Sequence, residues 1–231
     1  MENNVIFDQR NEGLSAFYTK IYALMGLGIA TSAVVSFIVI RFFAANLLAL
    51  LSGAGFGVLL IWFAPMLLLF PLRSAAQKNS SLALPLFFLI AAILGFTLSF
   101  ALLMYTMQDI TVAFAVSSAM FFGLSIYGRT TKRDLSGLGK ALMGILIGLI
   151  VASVVNFFIG SSFMMYLISY IGVALFAVFI AYDNQAIKRV YESSNGQVSD
   201  GWAVLMAMNL YLDFINLFLF LLQIFGGGSR R

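Results

Sequence analysis

Residues 201–225 read GWAVLMAMNLYLDFINLFLFLLQIF, and the class of the whole chain turns on how that stretch is taken. About twenty consecutive apolar residues cross a bilayer as one helix, so this run is long enough to span. Its one charged residue is Asp213, near the middle. An Asp at that depth costs roughly 2.5–3.5 kcal/mol on insertion scales, so it is usually partnered and by default marks an ion or proton path. Asn209, Asp213 and Asn216 fall at i, i+4 and i+7, which places them on one helical face. Lipid cannot satisfy a polar stripe, so this face has to meet protein or water. An interhelical hydrogen-bond seam would explain the asparagines but would not need the acid.

The remainder of the chain has the same character. Of 231 residues 62% are apolar and 10% charged, and the mean hydropathy is +1.02. A soluble domain carries about 25% charge. Seven uncharged apolar runs are expected to span: 21–40, 47–72, 82–107, 110–127, 141–159, 163–182 and 202–225. Only helices or closed barrels cross hydrocarbon, and runs of this length predict an all-α membrane protein. We read one membrane domain, 21–225, between a polar cytoplasmic N-terminal tail, 1–20, and a short external C-terminal tail, 226–231. The first twenty residues lack the basic start and short apolar core of a cleavable signal, so the first span is expected to be retained. Tight joins at 107–109 and 160–162 predict two helical hairpins.

Sidedness follows from the basic residues. The N-terminal tail and the second–third, fourth–fifth and sixth–seventh loops hold ten of the 13 Lys and Arg residues, whereas the other side holds Arg41, Arg230 and Arg231. Loops rich in Lys and Arg stay cytoplasmic, which puts the N-terminus inside and the C-terminus outside. The net charge of +4 is therefore a topology signal and not a nucleic-acid surface. Small residues predict close helix packing at Gly144 and Gly148, a GxxxG pair, and around Gly53, Gly55 and Gly57. Pro65 and Pro71 are expected to bend or end the second helix.

The chain has no Cys and no His. Thiol chemistry, zinc hydrolysis and a Ser–His protease are excluded, and so is the usual pH switch. The seventh span has no Lys for a retinal Schiff base. Two aspartates would suit an intramembrane aspartyl protease, but the motifs around them do not. No catalytic residue and no cofactor are expected.

A second acid, Asp183, stands where the sixth run ends, in AYDNQAIKR (181–189). No Pro or Gly stops the helix there, so it is expected to continue to about Tyr191. Asp183 then lies roughly 12 Å from the connecting loop and Asp213 roughly 16 Å, at 1.5 Å per residue. In antiparallel helices the two carboxyls reach the same depth within about one turn. Two carboxyls close together in a low dielectric cannot both ionise cheaply and tend to share a proton. The competing reading makes Asp183 a solvated helix-end acid near Lys188 and Arg189. Arg73 ends the second run on the same side, as a counter-cation to the pair or as a side chain snorkelling to headgroups. The loop 128–140, GRTTKRDLSGLGK, reads as a topology anchor that also meets anionic headgroups.

Three stretches carry a family resemblance: YGRTTKRDLSGLG (127–139), YIGVALFAVFIAYDNQAIKR (170–189) and LYLDFINLFLFLLQIF (210–225). In order and spacing they resemble the Bax inhibitor-1 family, also called the transmembrane BAX inhibitor motif family, and most of all its bacterial inner-membrane members. The resemblance implies a seven-helix bundle with a central last helix and a pH-sensitive calcium leak. It also implies a sensor formed by the two aspartates aligned with Asp183 and Asp213. A basic second-helix latch is implied too, and Arg73 is the nearest match. The second-helix Glu of some members has no counterpart, since residues 40–73 contain no acid.

The leading expectation is thus a proton-modulated calcium leak. Asp183 and Asp213 would form a weak, transient calcium site supported by Asn209, Asn216, carbonyls and water. The partners are the bilayer, protons and calcium. The alternatives are a non-conducting protein that modulates a membrane protease or a stress response, and a proton-coupled transporter.

Overall fold

A computed structural model describes residues 2–53 and 56–227, with side chains at 12–45, 47 and 64–227. The expected packing role of Gly53, Gly55 and Gly57 lies outside the described side chains, as do Arg10, Arg230 and Arg231. The chain forms helices α1 (Glu2–Gly53), α2 (Phe56–Gln77), α3 (Ala83–Leu102), α4 (Met107–Thr130), α5 (Gly139–Ile159), α6 (Ser162–Ser193) and α7 (Asp200–Gly226), with a 3₁₀ turn at Ser136–Leu138 before α5. Six of them are long and apolar enough to cross a membrane among the described residues; α2 is not counted with them. This all-helical outcome follows from composition, because hydrocarbon offers no partner for an unpaired backbone amide.

Several boundaries differ from the hydropathy reading. The polar residues 2–20 are helical and continuous with the first span. The expected first loop is reduced to a kink at Phe43, the one non-helical residue inside α1 (φ −127°, ψ 17°). Neither Pro65 nor Pro71 ends α2, which runs on to Gln77. The α3–α4 join falls at 103–106, where Thr106 and Asp109 form a reciprocal capping box that satisfies amides at the start of α4. The α5–α6 join stands where it was expected, with Gly160 left-handed (φ 70°) at the end of α5.

Contacts divide the chain into two units. The first holds residues 1–104 and 191–211. Here Ser32 Oγ donates to the Ala91 carbonyl at 2.7 Å and lies 2.7 Å from the Tyr211 hydroxyl, while Ser36 Oγ donates to the Gly95 carbonyl. These bonds stitch α1 to α3 and to the first half of α7, and Gly95 allows the approach. A Cβ there would stand 2.6 Å from the Ser32 carbonyl oxygen. Interhelical bonds of this kind contribute about 0.6 kcal/mol each in membranes, and close packing supplies the remainder.

The second unit holds residues 105–190 and 212–231. Phe114 and Phe121 of α4 meet the Phe214 ring of α7 edge to face, and Phe176 of α6 stacks on Phe220. Ser169 of α6 donates to Gln223 of α7 at 2.8 Å. The α7 helix is mostly buried, whereas α5 is mostly exposed. Nothing comes within 4 Å of where a Cβ would stand at Gly144 or Gly148. Among the described residues the GxxxG pair therefore makes no close helix contact, contrary to expectation. The close approach in this unit is at Gly128 of α4, against the Ala181 backbone of α6.

Candidate functional site

Four consecutive residues of α6, Tyr182 to Gln185, each reach a different neighbour. Successive helical residues are about 100° apart, so four of them look around the whole helix. Tyr182 packs its hydroxyl on Gly139 at the start of α5. Asp183 faces α7. Asn184, fully buried, donates from Nδ2 to Ser125 Oγ on α4 (3.1 Å) and to the Ile180 carbonyl (2.8 Å). Gln185 clasps the α4–α5 loop, accepting from Leu135 N and donating to the Arg133 carbonyl, both at 2.8 Å. One helical turn thus anchors the 182–185 segment to three other elements, and Asp183 is held by its neighbours.

Asp183 and Asp213 are 9% and 5% exposed, and their carboxyl groups are buried beside each other. Asp183 is therefore buried and not a solvated helix-end acid. The reach of α6 to Ser193 supplies the reason, since it carries the turn bearing Asp183 into helix packing. Asp213 Oδ2 is buried with no hydrogen-bond partner among the described residues. A buried acceptor left unsatisfied costs about 1–3 kcal/mol, which pure packing would not retain.

Asn216 is half-buried and donates from Nδ2 to the Leu212 carbonyl at 2.8 Å, within its own helix. Asn209 is half-buried in the first unit, and Arg73 is exposed at the end of α2. The cation whose field reaches Asp183 is Arg189. Among the described residues, no three acid, His or Cys side chains gather as a metal site. Two carboxyls fall short of the six to eight oxygens that hold calcium firmly.

Sequence reading missed Asn184, Gln185 and Ser125. The signal was present in the unbroken polar run Tyr182–Gln185. A helix that is polar on every side, in a chain this apolar, must meet protein on every side.

The loop held by Gln185 carries Asp134, which accepts from the Ser136 backbone amide (2.9 Å) and hydroxyl (2.8 Å). These bonds, with a smaller pull from Arg189, hold its carboxyl below the usual carboxylate range. A lowered carboxyl contributes stability at pH values above its unfolded pKa and loses it as pH falls through the folded value. Acidification below about pH 4 is thus expected to loosen the loop. Gln185→Ala is expected to do so at neutral pH, seen as several-fold faster tryptic cleavage at Lys132 and Arg133 in detergent. Unchanged cleavage would show that the clasp is not what holds the loop.

Fold and site together define a polytopic helical membrane protein with two buried acids. The chain belongs to the Bax inhibitor-1 family: the family model described as inhibitor of apoptosis-promoting Bax1 matches residues 14–230. It is 55% identical to the uncharacterized protein YrjE of Lactococcus lactis over 99% of each chain. It is 49% identical to an uncharacterized membrane protein of Streptococcus pyogenes serotype M1, over 98% of this chain and 99% of that one. It is 39% identical to the inner membrane protein YbhL of Escherichia coli K12, over 96% of this chain and 95% of that one.

Proposed function

We propose that this protein is a proton-modulated cation leak, with calcium as the permeant ion and Asp183 and Asp213 as the gating pair. The observation that carries the proposal is the burial of the Asp213 carboxyl beside that of Asp183, with Asp213 Oδ2 left without a hydrogen-bond partner among the described residues. An ionised carboxylate only accepts, so a hydrogen bond between two carboxyls holds a proton. Releasing it adds a negative charge in a low dielectric, which attracts a cation and changes what α6 and α7 gain from their contact. Two carboxylates with carbonyls and water make a weak calcium site, with the side-chain oxygen of Asn216, on the same face of α7 as Asp213, available to it. Weak binding is what transit needs, because a tightly held ion would not leave.

In this reading α7 is the central helix and the N-terminus is cytoplasmic. The membrane is the bacterial plasma membrane, and no catalytic step occurs. Calcium flux in liposomes is expected to depend on pH between about pH 5 and about pH 8 for the wild type and not for Asp183→Asn. Flux with the same pH profile in both would discard the gating pair. A purified wild type that moves no ion, yet co-purifies with a membrane protease, would favour the non-conducting alternative.

A further inference from the structure

Arg189 has an unusual set of partners for a residue at the polar end of a membrane helix. Its Nη1 donates to Gln185 Oε1 at 2.7 Å and stands 3.9 Å from Asp134 Oδ1 on the loop. Its guanidinium lies over the Tyr182 ring, 5.2 Å from the centroid. The side chain is 34% exposed, against 75% for Asp134. Four constraints fix where this charge sits: its own helix, a ring face, an amide and a loop acid. Arg189 is six residues beyond Asp183 on the same helix, which is roughly 9 Å of rise. The groups in contact with it are Asp134 from the loop and Tyr182 and Gln185 from α6, and its field reaches Asp183.

A surface arginine that only marks topology has no need of this arrangement. It would snorkel freely and be screened by water. A guanidinium pinned roughly 9 Å of rise beyond a buried acid does something specific. It opposes the approach of any other cation, and a loop carboxylate beside it weakens that opposition.

We infer that Arg189 is a specificity-determining residue of the cation path, a fixed charge at the loop end of α6 that limits cation entry to Asp183 and Asp213, with Asp134 setting its strength. The inference rests on the leak reading above. Its sign survives the presence of a shared proton. A divalent ion that displaces one proton still adds one net positive charge, and Arg189 repels that charge.

The test measures manganese binding by electron paramagnetic resonance, with purified protein in nanodiscs of zwitterionic lipid at mildly alkaline pH. No anionic headgroup then competes. Arg189→Gln is expected to tighten manganese binding by about tenfold, and Arg189→Lys, which keeps the charge, to stay within about twofold of wild type. Asp134→Asn is expected to weaken binding by about twofold to threefold, since Arg189 then acts undiminished. Asp183→Asn is expected to lose it. Opposite signs for Arg189→Gln and Asp134→Asn are a result that loss of packing would not produce.

Equal or weaker binding in Arg189→Gln, with Asp183→Asn still losing it, overturns the role of Arg189 and leaves the leak reading standing. Equal tightening in Arg189→Gln and Arg189→Lys overturns it too, because the charge would not be the cause. Wild-type binding in Asp183→Asn, or no manganese bound by the wild type, removes the leak reading and this inference with it.

Discussion

Vesicles bearing Asp213→Asn are expected to pass calcium at a rate that no longer changes between about pH 5 and about pH 8, where the wild type changes on the order of tenfold. The substitution is nearly isosteric. Its amide can donate to Asp183 much as a protonated carboxyl does, so the α6–α7 contact is kept. What it removes is the proton that can leave. With one acid against a fixed donor, no step remains in which the pair gains a charge, and flux settles at one level. Fold is tested separately by thermal unfolding in detergent. An amide at mid-membrane is cheaper than an ionisable acid, so the variant is expected to melt at or above the wild-type temperature. A pH profile that survives in a well-folded Asp213→Asn protein would remove Asp213 from the gate.

Gly128→Val is expected to have the largest effect on stability. A Cβ at Gly128 would stand 2.3 Å from the Ala181 carbonyl oxygen and 2.9 Å from its Cα. Both atoms are backbone, so no rotamer change gives relief, and α4 and α6 have to part. Overpacking of this kind costs about 1–3 kcal/mol, and a branched side chain is expected at the upper end. The same separation pulls Ser125 from Asn184, one turn away on α4. Gly123 supplies the control, because nothing among the described residues lies within 4 Å of a Cβ there. Gly123→Val is expected to stay within about 0.5 kcal/mol of wild type. Equal melting of the two variants would mean that α4 and α6 do not depend on this contact.

Much of the architecture could be read from composition and counting. Apolar runs of membrane length become helices because an unpaired amide in hydrocarbon has nowhere to go, and six of the described helices meet that standard. The closeness of Asp183 and Asp213 in depth came from counting residues back from one loop at a constant rise. The packing expectation that failed has a different cause. Gly144 and Gly148 looked like a packing motif, yet nothing among the described residues comes within 4 Å of a Cβ at either. That depends on the rotation of α5 about its axis. Nearly every position of α5 is apolar, so hydrophobic periodicity does not report that rotation. Arg73 drew notice by its place at the end of a run, whereas Arg189 was passed over as one of several loop cations.

By itself, then, the order of residues settled that this chain is helical, embedded in lipid and carries two acids at similar depth, since the solvent imposes those outcomes on any sequence so apolar. Only the folded chain decided which side chains touch: Asp183 on Asp213, Asn184 on Ser125, Gln185 on the loop and Arg189 on Asp134. Depth is a property of one helix measured against the bilayer. Contact needs the azimuth of two helices, and that is set by where glycines such as Gly95 and Gly128 let backbones close.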